Sequence, residues 1–202
     1  YANTVSEEVP NRPVVSSDHT WFVNNVGEIS PPSANQGGYP LPSIHGHGEG
    51  LWLAGPDTNP TTGVHAIGNV FLDTGNAGSQ SGIFVQSLTE SVISHNTLLS
   101  PHELPPNTGI LLKSSPHSYS NLFIAHNEIT AKLYAITVDG SPVTNLAIQA
   151  NTVLNDANWG LWMKSPGTVD LSGNDFSACD ICNSLSPPPP PPTCVADGSN
   201  LS

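Results

Sequence analysis

The stretch FIAHNEIT (residues 123–130) has the same shape as VISHNTLL (92–99), because apolar residues lead into an asparagine and more apolar residues follow it. The shape returns without the histidine in three other places. The asparagines of the five copies are 23 to 31 residues apart: Asn69, Asn96, Asn127, Asn151 and Asn174. A repeat of this length indicates a chain built by stacking copies of one small unit.

A second anchor, a glycine or alanine followed by alternating apolar residues, occurs in the same repeat at positions 50, 82, 109, 135 and 160. The residues one and three positions after it are aliphatic or methionine in every unit: Leu51, Ile83, Ile110, Ile136, Leu161, Leu53, Val85, Leu112, Val138 and Met163. Side chains alternate between the two faces of a strand, so these positions predict an inward face.

A unit of this size, with two or three short strands and no helix, cannot form an ordinary parallel sheet, which needs long crossover connections. In a solenoid each coil stacks on the previous one at about 4.8 Å, so that equivalent strands pair in parallel. The pattern resembles the right-handed parallel β-helix repeat of the pectin-lyase-like superfamily. The resemblance implies an all-β parallel β-helix of five to six coils over residues 44–178, and it implies little about function.

The repeated asparagines are expected at tight corners, where their own backbone is left-handed and their amides form a ladder between coils. His95 and His126 precede consecutive ladder positions and should stack at the surface. A second histidine-containing stretch, IHGHGEG, spaces His45, His47 and Glu49 as metal ligands are spaced on a strand. Neither group has a supporting cluster, so we expect no metal and no other cofactor, and nothing supports a calcium site.

The composition excludes several classes of partner. The 202 residues include 4 Lys and Arg against 16 Asp and Glu, a formal net charge of −12. Nucleic acids and anionic membranes are bound by dense cationic faces, so neither is an expected partner. The chain has no apolar run long enough to span a bilayer, so no membrane insertion is expected. It begins at Tyr1 rather than at a methionine, so we expect a processed protein or a fragment.

Both ends depart from the repeat. Residues 1–43 are expected to cap the first coil or to reach a neighbouring subunit. Residues 179–202 form a Cys- and Pro-rich tail with six prolines in a row, which predicts a polyproline II rod. This tail resembles the hydroxyproline-rich linkers of extracellular glycoproteins, a resemblance that implies an extracellular or cell-surface location and glycosylation. Asn200 begins the one N-glycosylation sequon of the chain.

The three cysteines are Cys179, Cys182 and Cys194. A redox motif needs a strand-to-helix setting and a zinc site needs a second cysteine pair, and the sequence offers neither. We therefore expect a structural disulfide that bridges to Cys194 in an oxidising compartment, with one cysteine left over.

Two outward rows are the candidate functional surface. The first row is mostly apolar and needs cover by the N-terminal segment, a partner subunit or a sugar ring: Trp52, Phe84, Leu111, Thr137 and Trp162. The second row includes Lys113, Asp139 and Lys164. These charges predict either ion pairs between coils or, as the resemblance implies from lyases and epimerases, groups that neutralise a uronate and abstract a proton.

One further catalytic candidate comes from the resemblance. Mannuronan epimerases of the superfamily contain an Asp-Pro-His motif, whereas this chain has Ser100-Pro101-His102-Glu103. The acidic residue before the proline is missing, so Glu103 would have to replace it.

Two functions remain open. The short solenoid, the unmatched ends and the lack of a complete catalytic motif favour an extracellular structural protein that self-associates into a fibre or surface assembly. The alternative is a polysaccharide-binding or polysaccharide-processing protein of lyase or epimerase type, or a tailspike or adhesin module. The first interpretation predicts no enzyme activity and a second copy of the chain as the main partner.

Overall fold

The computed structural model describes residues 18–28, 50–55, 60–74, 81–101, 105–113, 119–140, 142–164 and 169–185, the last five as backbone only. Within these ranges the chain forms strands and turns, and all strand pairs are parallel. Several predicted sites lie outside the described residues: His45, His47, Glu49, His102, Glu103, Cys194, Asn200 and the side chain of Cys182.

Three parallel sheets form the walls of a β-solenoid. Sheet I contains β3 (Leu51–Ala54), β7 (Ser81–Gln86), β10 (Thr108–Leu112), β13 (Tyr134–Val138), β16 (Trp159–Met163) and β18 (Ile181–Leu185). Sheet II contains β1 (Trp21–Val23), β4 (Thr61–Thr62), β5 (His65–Ile67), β8 (Leu88–Ser94), β11 (Tyr119–Ala125), β14 (Val143–Gln149) and β17 (Val169–Asp170). Sheet III contains β2 (Val26–Glu28), β6 (Val70–Leu72), β9 (Thr97–Leu99), β12 (Glu128–Ile129) and β15 (Thr152–Val153).

The chain visits sheets I, II and III in that order in every coil. Three consecutive coils have an unbroken strand in each sheet, and they begin at β7, β10 and β13. In the coil before them sheet II is split into β4 and β5, and in the coil after them sheet III continues only as a bridge between Thr152 and Asp175. The predicted parallel solenoid is confirmed, but it has about three complete coils rather than five to six.

The inward face is the one that the alternation predicts. Ile83, Ile110, Ile136 and Leu161 are in register on neighbouring strands of sheet I and are fully buried. The same holds for Val85, Leu112, Val138 and Met163. Burying one such side chain contributes roughly 1.5–3 kcal/mol, so these stacked rows are the main source of stability.

The anchor glycine is required by packing between the sheets. A Cβ at Gly109 would lie 2.3 Å from Cγ2 of Ile129, a sheet III residue of the same coil, and 2.6 Å from the carbonyl oxygen of Ala135. In the next coil the anchor is Ala135 itself, and the corresponding sheet III residue is the smaller Val153. The glycine therefore leaves room for a larger side chain from sheet III.

The corner between sheets II and III uses a left-handed residue immediately before each repeated asparagine. The residues with positive φ at this position are Asn24, Gly68, His95, His126, Ala150 and Gly173. No ladder asparagine is among the described residues with positive φ, so the expectation that the asparagine itself is left-handed was wrong. The corner thus separates two tasks, because one residue supplies the bend and the next supplies the amide.

The solenoid extends beyond the predicted limits of residues 44–178. At the N-terminal end, β1 and β2 pair with β5 and β6, so part of the predicted 1–43 segment forms a rung of the solenoid. At the other end, β18 pairs with β16. The sequence around Asn25 has the repeat's shape, but it lies 44 residues before Asn69, a gap much wider than the others.

Candidate functional site

The asparagines form a continuous ladder of six, which includes Asn25 as well as the five predicted positions. Each Nδ2 donates to the Oδ1 of the asparagine in the next coil at 2.8–3.0 Å. The backbone N–H of each donates to the same oxygen at 2.9–3.0 Å. The second Nδ2 hydrogen reaches a carbonyl of the preceding coil, as from Asn127 to Ile93. The interior amides are fully bonded, so they hold the corner and offer nothing to a ligand.

His95 and His126 stack at the surface beside this ladder. Their ring centroids are 4.9 Å apart with an interplanar angle of 24°, and both residues are exposed. Within the described part of the chain, no group of three or more His, Cys, Asp or Glu side chains is arranged to hold a metal ion.

The apolar outward row on sheet I is partly covered. Trp52 and Phe84 are half-buried and in contact, with ring centroids 4.6 Å apart. Leu111 and Thr137 are buried, whereas Trp162 is half-buried. The row is therefore aromatic and half-buried in the N-terminal coils, and it is buried in the middle coils.

A groove of about 270 Å³ lies over this buried part of the row, across β10, β13 and β16. Tyr134 and Trp162 stack along it, with centroids 4.9 Å apart and an interplanar angle of 18°. Its lining also includes Asn107, Thr108, Leu111, Lys113, Leu133, Thr137, Asp139 and Lys164. The backbone N–H groups of Leu133 and Tyr134 both donate to the carbonyl of Asn107, which fixes the segment that leads into β13.

Three charged side chains border the groove. Lys113 and Lys164 both contact Asp139, with Lys113 Nζ 3.2 Å from Oδ2 and Lys164 Nζ bonded to Oδ1. Burial of the Asp139 carboxyl alone would raise its pKa, but its hydrogen bonds with Lys164 and Lys113 outweigh burial and lower the pKa. Lys164 Nζ also lies 4.9 Å from the centroid of the Trp162 ring, a cation–π contact. The predicted row of charges is thus an ion ladder joined to the aromatic wall.

Tyr119 supports this row from inside the solenoid. It is fully buried, and its hydroxyl lies within hydrogen-bond distance of the carbonyls of Lys113 and Val85. Burial raises the pKa of Tyr119 well above its usual value, so the hydroxyl stays protonated and available as a donor. The backbone that presents Lys113 is therefore tied to the core.

Thr137 is a polar residue of the groove whose buried hydroxyl lacks a hydrogen-bond partner among the described residues. The residue is 3 % exposed, and its Oγ1 has no hydrogen-bond partner among the described residues. A buried hydroxyl without a partner costs about 1–3 kcal/mol. Thr137 is one of the residues that line the groove, so this hydroxyl lies close to the space that a bound molecule would occupy.

The structure brings together one predicted set of side chains and leaves another apart. Lys113, Asp139, Lys164 and Trp162 meet at the groove, whereas Trp52 and Phe84 do not line it. Tyr134 was missed by sequence analysis, although it directly precedes the Ala135 anchor. Positions before the anchor were not compared between coils, and that comparison aligns Tyr134 with Trp159.

Cys179 is buried and forms no disulfide with any described side chain. Burial raises its pKa to about 12, so the thiol stays protonated near neutral pH and is a poor nucleophile. The predicted disulfide to Cys194 involves a residue outside the described ranges and stays a prediction.

Comparison with models of protein families, with curated proteins and with solved structures finds no match. In the part of the chain that the structure describes, no helix is long and apolar enough to cross a membrane.

Proposed function

We propose that the chain is an extracellular β-solenoid that binds a polysaccharide in the groove on sheet I, and that it belongs to the pectin-lyase-like superfamily that its repeat resembles. The observation that carries the proposal is a groove that combines the stacked rings of Tyr134 and Trp162 with the hydroxyl of Thr137, which has no hydrogen-bond partner among the described residues. Sugars combine an apolar ring face with many hydroxyls, and aromatic side chains beside fixed polar groups recognise that combination.

The charges around the groove favour a sugar with a carboxylate. The chain has four basic residues, of which Lys113 and Lys164 line the groove and Lys132 is adjacent to the lining residue Leu133. An ammonium has three N–H donors, so Lys164 can bond Asp139 and a sugar oxygen at the same time. The net charge of −12 opposes the approach of a polyanion, so we expect modest affinity that increases with salt.

The charged side chains of the groove fit sugar binding without catalysis better than they fit the activity of a lyase or an epimerase. A general base must accept a proton at working pH. Both lysines bond the Asp139 carboxylate and its pKa is lowered, so this group is a weak base. The two lysines beside Asp139 suit neutralisation of a bound carboxylate.

Replacing Thr137 with valine tests the proposal, because valine keeps the shape and removes the hydroxyl. Tryptophan fluorescence is used to titrate oligogalacturonate and a neutral β-glucan oligosaccharide. We expect Thr137→Val to weaken oligogalacturonate binding about tenfold, the loss of one hydrogen bond, while raising the free energy of unfolding by about 1 kcal/mol. Thr152→Val, at a half-buried threonine of sheet III, is the matched control and should leave binding unchanged.

The two readouts separate binding from folding. A hydroxyl with a purely structural role would make Thr137→Val less stable and leave affinity unchanged, and that result would refute the proposal. Absence of binding to both sugars by the unaltered chain would refute it as well. A preference for the neutral sugar would keep the groove as a binding site and reject the role given to the lysines.

A further inference from the structure

The two ends of the solenoid are staggered in complementary ways. Among the described strands, sheets II and III begin at β1 and β2, one level before sheet I begins at β3. At the other end, sheet I continues to β18, one level beyond β17. Counting the Asp175 bridge as the last level of sheet III, each sheet has six levels in the described part of the chain. A second copy placed six levels along the axis would therefore continue all three sheets without a gap.

The asparagine ladder has the same complementarity in its hydrogen bonds. Along the ladder, each asparagine donates one Nδ2 hydrogen to the asparagine of the later coil, and its other Nδ2 hydrogen goes back to a carbonyl, as from Asn174 to Ile148. The last one, Asn174, has no asparagine oxygen ahead of it among the described residues. At the first position, Asn25 donates to Asn69, and its own Oδ1 accepts no hydrogen bond from the residues that the structure describes. One end thus presents donors and the other an acceptor.

The first rung is also the most apolar exposed part of the described surface. Trp21 is 60 % exposed and Val26 is 74 % exposed, and Val23 between them is exposed as well. At the opposite end the inward side chains Leu171 and Phe176 are already buried, so that end offers strand edges and amide donors. Unpaired strand edges of this kind readily pair with another chain.

We propose that copies of this chain stack head to tail into an open filament, with the Asn174 end of one copy meeting the Asn25 end of the next. The register of the repeats aligns Asn174 with Asn25, Leu171 with Phe22 and Asp170 with Trp21. In this junction, Asn174 donates to Oδ1 of the next copy's Asn25, which donates in turn to the carbonyl of Leu171. The β18 strand pairs with β3 of the next copy.

A second copy fits this end better than another part of the same chain. The undescribed segments contain six other asparagines, and none has a hydrophobic residue three positions before it, as the ladder asparagines do: Asn3, Asn11, Asn35, Asn59, Asn76 and Asn200. The junction is heterologous, so it does not close and propagates as a fibre. This inference does not depend on sugar binding in the groove.

The test is assembly of the full chain, measured by sedimentation and electron microscopy at low and high salt. A charge of −12 per copy repels, so filaments should form at high salt or as the pH approaches the pI of about 4.7. Six levels of about 4.8 Å predict an axial repeat of roughly 29 Å. Only monomers under all these conditions, or a filament with an unrelated repeat, would overturn the proposal.

Charge variants at the junction test the register. Trp21→Asp puts two carboxylates opposite each other at the junction and should raise the critical concentration at least about tenfold. Adding Asp170→Lys to the same chain should restore assembly, because the pair is then of opposite charge. Leu154→Asp, at an exposed side chain away from both ends, is the control and should assemble normally. Normal assembly of Trp21→Asp, or no rescue by Asp170→Lys, would overturn the assigned register.

Discussion

Two polar ladders cross the same coils of this molecule in opposite environments. The asparagine ladder passes through Asn96, Asn127 and Asn151, which are buried and bonded to both neighbouring coils. The ion ladder joins Lys113 and Lys164 to Asp139 on the outer face of sheet I, where the lysine side chains are 45 % and 41 % exposed. Both ladders repeat one kind of contact at one-coil intervals, but only the first excludes water.

The difference shows which stacked contacts hold the coils together. Removing a partner from a buried hydrogen bond leaves the other group unsatisfied, which costs about 1–3 kcal/mol per group. An exposed ion pair exchanges its partner for water, so its loss costs at most about 1 kcal/mol. We therefore assign the inter-coil stability to the amide ladder and the aliphatic rows, and assign the ion ladder to the groove.

The most damaging change should be Asn127→Ala. It removes the side-chain bonds to Asn151 and Ile93 and leaves the donors of buried Asn96 without an acceptor. We expect a loss of about 3 kcal/mol or more in the free energy of unfolding, measured by urea denaturation with circular dichroism. Asn121→Gly is the matched control, because the Asn145–Asn121 amide contact is exposed. A similar loss in both variants would remove the distinction between buried and exposed ladders.

A substitution at Gly109 in sheet I tests packing against Ile129 separately from the hydrogen bonds of the asparagine ladder. Gly109→Ala drives a methyl group into Ile129 and the carbonyl of Ala135, so we expect a loss of about 1–3 kcal/mol with the ladder intact. Urea denaturation of a double-mutant cycle with Ile129→Ala gives the coupling energy. If the clash with Ile129 causes the loss, the double variant should lose about 1 kcal/mol less free energy of unfolding than the two single variants lose together. Strict additivity would contradict that assignment.

The corner backbone itself allows a gain in stability. Ala150 has φ of 51°, a conformation in which the Cβ is strained, so Ala150→Gly should stabilise the chain by about 0.5–1 kcal/mol. Ala147→Gly, in the strand β14 three residues earlier, should lose a similar amount because its backbone is extended. Thermal unfolding of the two variants measures both effects. If both glycine substitutions change the stability in the same direction, the left-handed strain at this corner is negligible.

The smallest effect is expected in the ion ladder. Asp139→Asn should change the free energy of unfolding by at most about 1 kcal/mol at neutral pH. The lowered pKa of Asp139 means that its contribution is present above its ordinary value of 3.8 and is lost as the pH falls through and below that value. Urea denaturation of the wild type and the variant at pH 7 and pH 3 should show the difference shrinking at pH 3. If the two proteins still differ equally in their free energy of unfolding at pH 3, the effect of Asp139→Asn comes from packing and not from charge.

Local patterns in the sequence predicted the solenoid and its inward rows. The alternation after each anchor marks Ile83, Ile110 and Ile136 as core, because side chains in a strand alternate faces regardless of what surrounds them. The repeat of Asn96, Asn127 and Asn151 predicts stacking, because equivalent residues of successive coils must meet. The rung around Asn25 has the same pattern, but its distance along the chain concealed it.

The groove was only partly predictable. The alignment of Lys113, Asp139 and Lys164 follows from the register, but the stack of Tyr134 on Trp162 joins non-equivalent positions of two coils. The burial of Thr137, whose hydroxyl has no partner among the described residues, likewise depends on side chains from neighbouring strands. No periodicity in the sequence reports such contacts, because they arise between turns of different length.

The sequence by itself determined which side chains face inward and which asparagines stack, since both follow from strand alternation and coil repetition. Tertiary structure alone decided how many coils are complete, which residue bends each corner, and how the two ends match. The physical reason is that alternation is a property of one strand, whereas steric fit, burial and unpaired edges are properties of neighbouring coils in contact.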